Sequence, residues 1–142
     1  MDVWQRALRI ETKQADDDQA RQISQSWAPA RLEDFKRCVE RALAVSAQPV
    51  LRGDKDYPAA WERLNNPPVG GWLKGKWVQA IPRVGIVGAR ASPPSVRARV
   101  ERYAARLIDQ GEQVVSGAAV GVDTSAHRGA APNGSVAVVP FG

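Results

Sequence analysis

Two glycine-containing turns carry the residues whose types and spacing could bind an anion. The first turn covers residues 84–90. It begins with an apolar run, which is followed by Gly88, the small residue Ala89 and then Arg90. Gly88 allows a sharp exit from a strand and a close approach of a ligand to the backbone. Arg90 places a permanently charged guanidinium where the next helix begins, and a helix N-terminus already favours anions. We therefore predict that Gly88 and Arg90 bind phosphate; a surface salt bridge is the alternative role for Arg90.

The second turn repeats this pattern after residues 113–116. An apolar run ends there, a loop of small residues follows, and a helix is predicted over residues 122–131. Small side chains leave backbone N–H groups free to converge on an anion. Tight packing of a strand against a helix is the alternative role for the glycines of this loop, and both roles can hold together. The predicted phosphate-facing residues of this turn are Ser116, Gly117, Ala119 and Gly121.

Asp123 and His127 lie four residues apart, so they share one face of the predicted helix. An acid beside a histidine invites an acid–base interpretation, but the sequence offers no second histidine, no nearby cysteine and no metal-ligand cluster. Asp123 near a helix start is also a natural cap. We therefore predict that Asp123 and His127 pair and support the loop structurally. Catalytic residues, a metal site and a cofactor are not expected.

Strands and helices alternate around the two turns. Predicted strands cover residues 82–88, 112–116 and 135–140, and predicted helices cover residues 94–110 and 122–131. Such consecutive units form an α/β fold with a parallel sheet, whose loops open at one edge. The apolar stripe of the first helix consists of Val96, Val100, Tyr103, Ala104 and Leu107. Its opposite, solvated face is predicted to carry Arg99, Arg102 and Arg106.

The first strand of this sheet is predicted to be an edge strand, because a strand–helix–strand–helix–strand unit places it outermost. Its apolar sequence at residues 84–87 favours aggregation unless something covers it. We expect the cover to be the residues before 82, a partner chain such as a second copy, or a second half of the fold that this sequence lacks.

The residues before the sheet are predicted to be mainly helical. Apolar residues recur every three or four positions over residues 29–45, which indicates a packing helix. Residues 1–28 give a weaker helical pattern with a turn, and residues 48–54 are predicted to be a connector. A short helix after Pro58 and a short strand over 69–75 follow. The aromatic residues Tyr57, Trp61 and Trp72 are predicted to pack in a core, with base stacking as the alternative.

The net charge of +5 is unevenly distributed. Residues 1–56 hold ten basic and ten acidic residues, whereas residues 57–142 hold ten basic and five acidic residues. An excess of positive charge around the glycine turns suits a polyanionic partner, although a simple solubility charge is the alternative. A single cysteine, Cys38, excludes an internal disulfide and fits the cytoplasm. No 18-residue apolar run predicts a membrane span.

The two turns together resemble the DprA/Smf family of DNA-processing proteins. The resemblance rests on residues 87–90 (VGAR), 114–123 (VVSGAAVGVD), 126–130 (AHRGA) and 137–138 (AV). It covers residues 57–142 and corresponds to the front part of a Rossmann-like, three-layer domain. We therefore predict a helical N-terminal segment over 1–56 and a Rossmann-like domain over 57–142 that is truncated at its C-terminus.

The resemblance implies a DNA-binding protein rather than an enzyme. It implies that Arg90 binds single-stranded DNA. It also implies that the partner is the recombinase RecA, which is loaded onto incoming DNA during natural transformation. Two departures stand out: Ser95 and Val96 replace a Tyr-Gly type pair, and Val120 replaces a residue that is often basic in the family. A nucleotide pocket like that of the LOG phosphoribohydrolases is one alternative, although their G-G-x-x-G-x-x-x-E signature is absent. An inactive fragment is the other.

Overall fold

The chain divides into two compact units, Met1–Gln79 and Ala80–Gly142. We describe residues 1–132 and 134–140 of a computed structural model. None of the helices in these residues is long and apolar enough to cross a membrane. The elements of the first unit are α1 (Val3–Thr12), α2 (Asp17–Gln25), α3 (Pro29–Ala44), β1 (Gln48–Leu51), α4 (Ala59–Glu62) and β2 (Gly70–Leu73).

Two regions of the first unit differ from the sequence prediction. Residues 1–28 form two regular helices, each begun by an aspartate: Asp2 accepts a hydrogen bond from the Trp4 backbone, and Asp16 accepts from Asp18 and Gln19. These caps satisfy N–H groups that otherwise lack partners at a helix start. The predicted connector over residues 48–54 is wrong for its first four residues, which form β1.

The strand β1 exists because a distant segment pairs with it. β1 and β2 are antiparallel, with Val50 opposite Gly71 and Leu51 opposite Gly70. This pairing lies outside any local sequence window, and it joins residues from both sides of the domain boundary predicted between 56 and 57. The compact units instead divide after Gln79.

The aromatic residues of this unit are packed against one another. Tyr57 is 4% exposed, and its hydroxyl donates a hydrogen bond to the carbonyl oxygen of Pro68 over 2.7 Å. The Trp61 ring contacts the Tyr57 ring edge-on, with ring centroids 5.4 Å apart. The Trp61 ring also packs against Gly71, where an added Cβ would lie 2.9 Å from the ring. These contacts favour the packing interpretation over base stacking for both residues.

The second unit contains the predicted parallel sheet, which confirms the α/β fold class. Its strands pair in the order β3-β4-β5. Val84 lies opposite Val114, and Val114 lies opposite Ser135. The strands are shorter than predicted, since the pairing lapses where each strand turns into its loop. The elements are β3 (Arg83–Gly85), α5 (Pro94–Asp109), β4 (Gln113–Ser116), α6 (Val122–Ala130) and β5 (Ser135–Ala137).

Small residues bring α5 and α6 together over the sheet. The core consists of Ala104, Leu107, Val114, Ala126 and Ala130, all at most 5% exposed. At Gly129, an added Cβ would collide with the carbonyl oxygen of Glu101 and would lie 2.8 Å from the Cβ of Ala104. The alanine and glycine residues at 126–130 therefore serve close helix packing.

The outer half of α5 is not covered as predicted. Ala104 and Leu107 are buried, but Val96 is 39% exposed and Tyr103 is 53% exposed. Within the described residues no strand lies beyond β3, so α5 overhangs the end of the sheet. The overhang forms a groove of about 700 Å³, which we call the edge groove. It is lined by residues 85–87 and by Val96, Arg99, Val100, Arg102, Tyr103 and Arg106.

Arg99, Arg102 and Arg106 are exposed, as predicted for the solvated face of α5, but they do not lie opposite the whole apolar stripe. These arginines border the same groove as Val96 and Tyr103. The apolar stripe of α5 is wider than the part of the sheet that lies beneath it. The uncovered part of the stripe and the three arginines therefore lie on the same exposed side of the helix.

Replacing Gly129 by alanine should destabilise the second unit by about 2–3 kcal/mol, because overpacking against backbone outweighs a gain of about 1 kcal/mol in helix propensity. Urea unfolding followed by circular dichroism measures this change. Gly85→Ala is the control, since an added Cβ there meets nothing within 4 Å. An unchanged unfolding midpoint for Gly129→Ala would contradict the packing account.

Asp54 should make the first unit acid-sensitive. Its carboxylate accepts hydrogen bonds from the Leu51 backbone (2.8 Å) and from Arg6, whose Nε also donates to the carbonyl oxygen of Pro49 (3.1 Å). Burial alone would raise the pKa of Asp54, but these bonds outweigh burial and lower the pKa below its ordinary value of 3.8. The resulting stabilisation is present above that value and is lost as the pH falls through the lower, folded-state pKa.

Asp54→Asn should therefore lower the free energy of unfolding by about 1–2 kcal/mol near neutral pH and flatten its decline below about pH 4. Unfolding curves collected across this pH range test the expectation. Asp56→Asn, at an exposed carboxylate two positions away, is the matched control. Equal acid sensitivity in Asp54→Asn and the unmodified chain would refute this role of Asp54.

Candidate nucleic-acid interface

The loops that follow β3 and β4 meet at the carboxyl end of the sheet. We call residues 86–93 the first loop and residues 117–121 the second loop. The Val122 backbone N–H donates to the carbonyl oxygen of Ala89 over 3.3 Å, which joins the loops directly. The predicted convergence of the two turns at one sheet edge is therefore present.

The glycines of the two loops lie where the loops contact each other. Gly121 has φ = 91°, a conformation that favours glycine, and an added Cβ would collide with the carbonyl oxygens of Ala89 and Arg90. An added Cβ at Gly88 would lie 2.9 Å from the Val122 side chain. Both glycines thus have a packing role that would fix the position of the first loop.

Arg90 lies in the first loop, and its side chain is exposed. Within residues 1–132 and 134–140 it forms no salt bridge, so the alternative role in a surface ion pair is not observed. The helix α5 begins soon after it, at Pro94, and its N-cap is Pro93. Because the two prolines lack N–H groups, Ser95 and Val96 supply the backbone donors of the first helical turn.

The hydroxyl of Ser116 is directed into the protein. Ser116 is 3% exposed, and its Oγ donates a hydrogen bond to the carbonyl oxygen of Ile86 over 2.7 Å. The bond ties the end of β4 to the end of β3 just before the two loops separate. The side chain of Ser116 is thus engaged with backbone.

A buried carboxylate occupies the inner side of the second loop. Asp123 is 7% exposed, and its Oδ2 accepts a hydrogen bond from the Ala119 N–H over 3.4 Å. An added Cβ at Gly117 would lie only 2.9 Å from the same oxygen. A fixed negative charge here takes up an amide that was predicted to face phosphate, and it opposes the approach of a second anion.

Asp123 and His127 do not pair with each other in the described residues. Asp123 holds the second loop from the first turn of α6, whose N-cap is Gly121. His127 Nδ1 instead contacts the hydroxyl of Ser135 in β5. The spacing correctly places both on one helix, but each side chain reaches a partner from a neighbouring element. No group of three or more metal-ligating side chains occurs in the part of the chain that the structure describes.

Sequence reasoning missed one feature of this region, which is the conformation of Ala118. Its φ of 59° lies in the left-handed region, although alanine carries a Cβ. That conformation costs an alanine about 1 kcal/mol, and no residue type in the sequence signalled it. Ala118 directly precedes Ala119, whose N–H donates to Asp123.

Ser116→Ala should lower the free energy of unfolding by about 1–2 kcal/mol, because it leaves the Ile86 carbonyl oxygen without its donor. Urea unfolding measures the loss, and Ser95→Ala, at an exposed serine of the same unit, is the control. An unchanged unfolding midpoint for Ser116→Ala would contradict this structural role of the hydroxyl.

The known proteins that are similar to this chain include one curated sequence and one solved structure. Protein Smf of Borreliella burgdorferi is 28% identical over 84 residues, which is 58% of this chain and 27% of Smf. The solved structure of DNA processing protein A from Helicobacter pylori is 25% identical, with a TM-score of 0.58. That structure concerns the single-stranded DNA binding mode of the Helicobacter protein, and the match covers 66% of this chain and 42% of that chain. The chain thus spans less than half the length of either protein.

A family model covers most of the chain. The model is that of DNA recombination-mediator protein A, and it matches residues 48–142. The matched range begins earlier than the expected residue 57 and includes β1, which agrees with the pairing of β1 and β2. Together with the parallel sheet and the two contacting loops, this match shows that the chain belongs to the DNA recombination-mediator protein A family.

Proposed function

We propose that this chain binds single-stranded DNA through the first loop, without covalent chemistry. The observation that carries the proposal is Arg90, an exposed guanidinium with no salt bridge in the described residues, held beside the start of α5. A guanidinium presents a planar fork of donors that matches a phosphate. The similarity to the Helicobacter protein, which binds single-stranded DNA, supports the same ligand class.

Phosphate contacts would dominate this binding. Arg90 provides the charge, and the N–H groups of Ser95 and Val96 provide directed donors at the positive end of α5. The second loop contributes shape: Val120 is 69% exposed and offers an apolar contact to a sugar or base. Such contacts fix a strand in place with little reading of its sequence.

The charge of the second unit suits the same ligand. Residues 80–142 contain seven arginines and four acidic residues. One of these acids, Asp123, is buried, and Glu101 faces Arg128 over 3.9 Å. The net positive field would raise the rate at which a polyanion meets the loop and would weaken with salt.

The resemblance to the DprA/Smf proteins extends the proposal to partners and cellular role. We include in it an interaction with RecA, loading of RecA onto incoming DNA during natural transformation, and the cytoplasm as the place of action. A second copy of the chain is the proposed homotypic partner. Catalysis is not part of the proposal, since phosphate binding at Arg90 requires no bond to be formed or broken.

Fluorescence anisotropy of a labelled single-stranded oligonucleotide tests this function. For the unmodified chain, log affinity should fall against log salt with a slope of about −0.7 for each phosphate contact. Arg90→Gln should weaken binding at low salt about tenfold and reduce the slope by about one contact. Arg128→Gln is the matched control, because it removes an equal charge from the C-terminal turn of α6.

Two results would refute the proposal. One is a folded chain with no affinity for the oligonucleotide at low salt. The other is equal loss in Arg90→Gln and Arg128→Gln, which would indicate general attraction rather than a site. Saturable binding of a mononucleotide, without any dependence on oligonucleotide length, would instead favour the nucleotide-pocket alternative.

A further inference from the structure

The first turn of α6 occupies the backbone groups in the middle of the second loop. Asp123 is 7% exposed, and its Oδ2 accepts a hydrogen bond from the Ala119 N–H over 3.4 Å. Thr124 donates to the carbonyl oxygen of Ala119 twice, from its backbone N–H over 3.1 Å and from its Oγ1 over 2.7 Å. Both backbone groups of Ala119 are therefore engaged by side chains and backbone of the same unit.

The carboxylate of Asp123 also fills the space beside the loop backbone. An added Cβ at Gly117 would lie 2.9 Å from Oδ2, which is too short for a non-bonded contact. The absence of a side chain at Gly117 thus leaves the room that the carboxylate uses. An anion that accepted the Ala119 N–H would have to take the place of this oxygen, because a hydrogen bond weakens steeply away from the N–H direction.

The negative charge of Asp123 is not cancelled by a neighbouring cation. Within residues 1–132 and 134–140 Asp123 forms no salt bridge, and His127 of the same helix contacts Ser135 instead. The positive end of the α6 dipole stabilises this carboxylate, as it would stabilise any anion at the same place. The position that a phosphate would favour is therefore already occupied by a negative charge.

The second loop otherwise has the features of a phosphate-binding loop. Loops between a parallel strand and a helix hold the phosphate in nucleotide-binding folds, where small residues let N–H groups converge on the anion. This loop is composed of small residues around Val120, and its backbone has positive φ at Ala118 (59°) and Gly121 (91°). It differs in that the bound anion is a side chain of the protein itself.

We propose that Asp123 determines which phosphates this sheet edge accepts. Its carboxylate excludes small ligands that need the anion position of the second loop, namely free pyrophosphate, mononucleotides and dinucleotides. The first loop stays open to the phosphates of a DNA strand, because Arg90 is exposed and has no salt bridge in the described residues. This inference rests on the proposed function, since it names the anions that the same surface rejects.

The exclusion follows from contacts within one short segment. Asp123, Ala119 and Gly117 all lie within residues 117–123, so a further part of the fold beside this edge would leave their contacts in place. Two negatively charged oxygens about 4 Å apart repel each other even near a protein surface, and the repulsion should weaken phosphate binding at the second loop at least about tenfold.

Isothermal titration calorimetry with inorganic pyrophosphate tests the inference. The unmodified chain should show no saturable binding. Asp123→Asn removes the charge and keeps the size of the side chain, and it should bind pyrophosphate at least about tenfold more tightly. Asp123→Ser also frees the Ala119 N–H and should gain at least as much. In both variants the NMR signal of the Ala119 amide should shift as pyrophosphate is added.

Asp109→Asn is the matched control. It removes an equal charge from an exposed carboxylate in the last turn of α5, far along the helix from the loops. This variant should gain no affinity for pyrophosphate. Thymidine monophosphate, as a second probe, should rank the four proteins in the same order. Circular dichroism establishes that each variant is folded before it is titrated.

Two results would overturn the inference. The first is saturable binding of pyrophosphate by the unmodified chain with a shift of the Ala119 amide, which requires no variant. The second is equal pyrophosphate affinity in Asp109→Asn and in the folded Asp123 variants, which would leave Asp123 with a structural role alone. These results are separate from the DNA-binding proposal, because they are obtained without any oligonucleotide. A chain without oligonucleotide affinity would refute that proposal, whatever the outcome with pyrophosphate.

Discussion

The close approach of α6 and its preceding loop to the elements around β3 is the constraint on which the second unit depends. Gly129 lets α6 lie against the Glu101 carbonyl of α5, and Gly121 lets the second loop lie against the carbonyls that follow β3. A side chain at either position would separate these elements, since packed backbone cannot yield as a flexible side chain can. The position of the backbone at Arg90 depends on this contact.

The two loops lie beside opposite charges at different depths. Asp123 lies beneath the second loop and holds the Ala119 amide, whereas Arg90 stands exposed on the first loop. A buried carboxylate that accepts an N–H stabilises its loop but repels phosphate. The second loop thus supports and shapes the surface, and the first loop offers the charge. Two sequence segments that look alike as glycine turns therefore differ in what they can bind.

The regular elements of the second unit follow from local patterns, and the tertiary environment decides how they are covered. Apolar runs and glycine stops predicted the three strands and two helices, because period and turn chemistry are properties of neighbouring residues. The strand β1 escaped prediction, since its partner β2 lies far along the chain. Tyr103 belongs to the apolar stripe of α5 yet remains half exposed, because β3 is the last strand of the sheet on that side in the residues that the structure describes.

The sequence by itself determined the fold class, the family and the presence of two glycine loops at one sheet edge. These properties depend on residue types at fixed spacings, which can be identified from the sequence without a structure. Only the tertiary structure decided which groups are available: it turned Ser116 inward onto Ile86, gave Asp123 and His127 separate partners, and left Arg90 exposed. Spacing along a helix limits which side chains share a face, but hydrogen bonds go to the nearest suitable group, which here lies in another element of the fold.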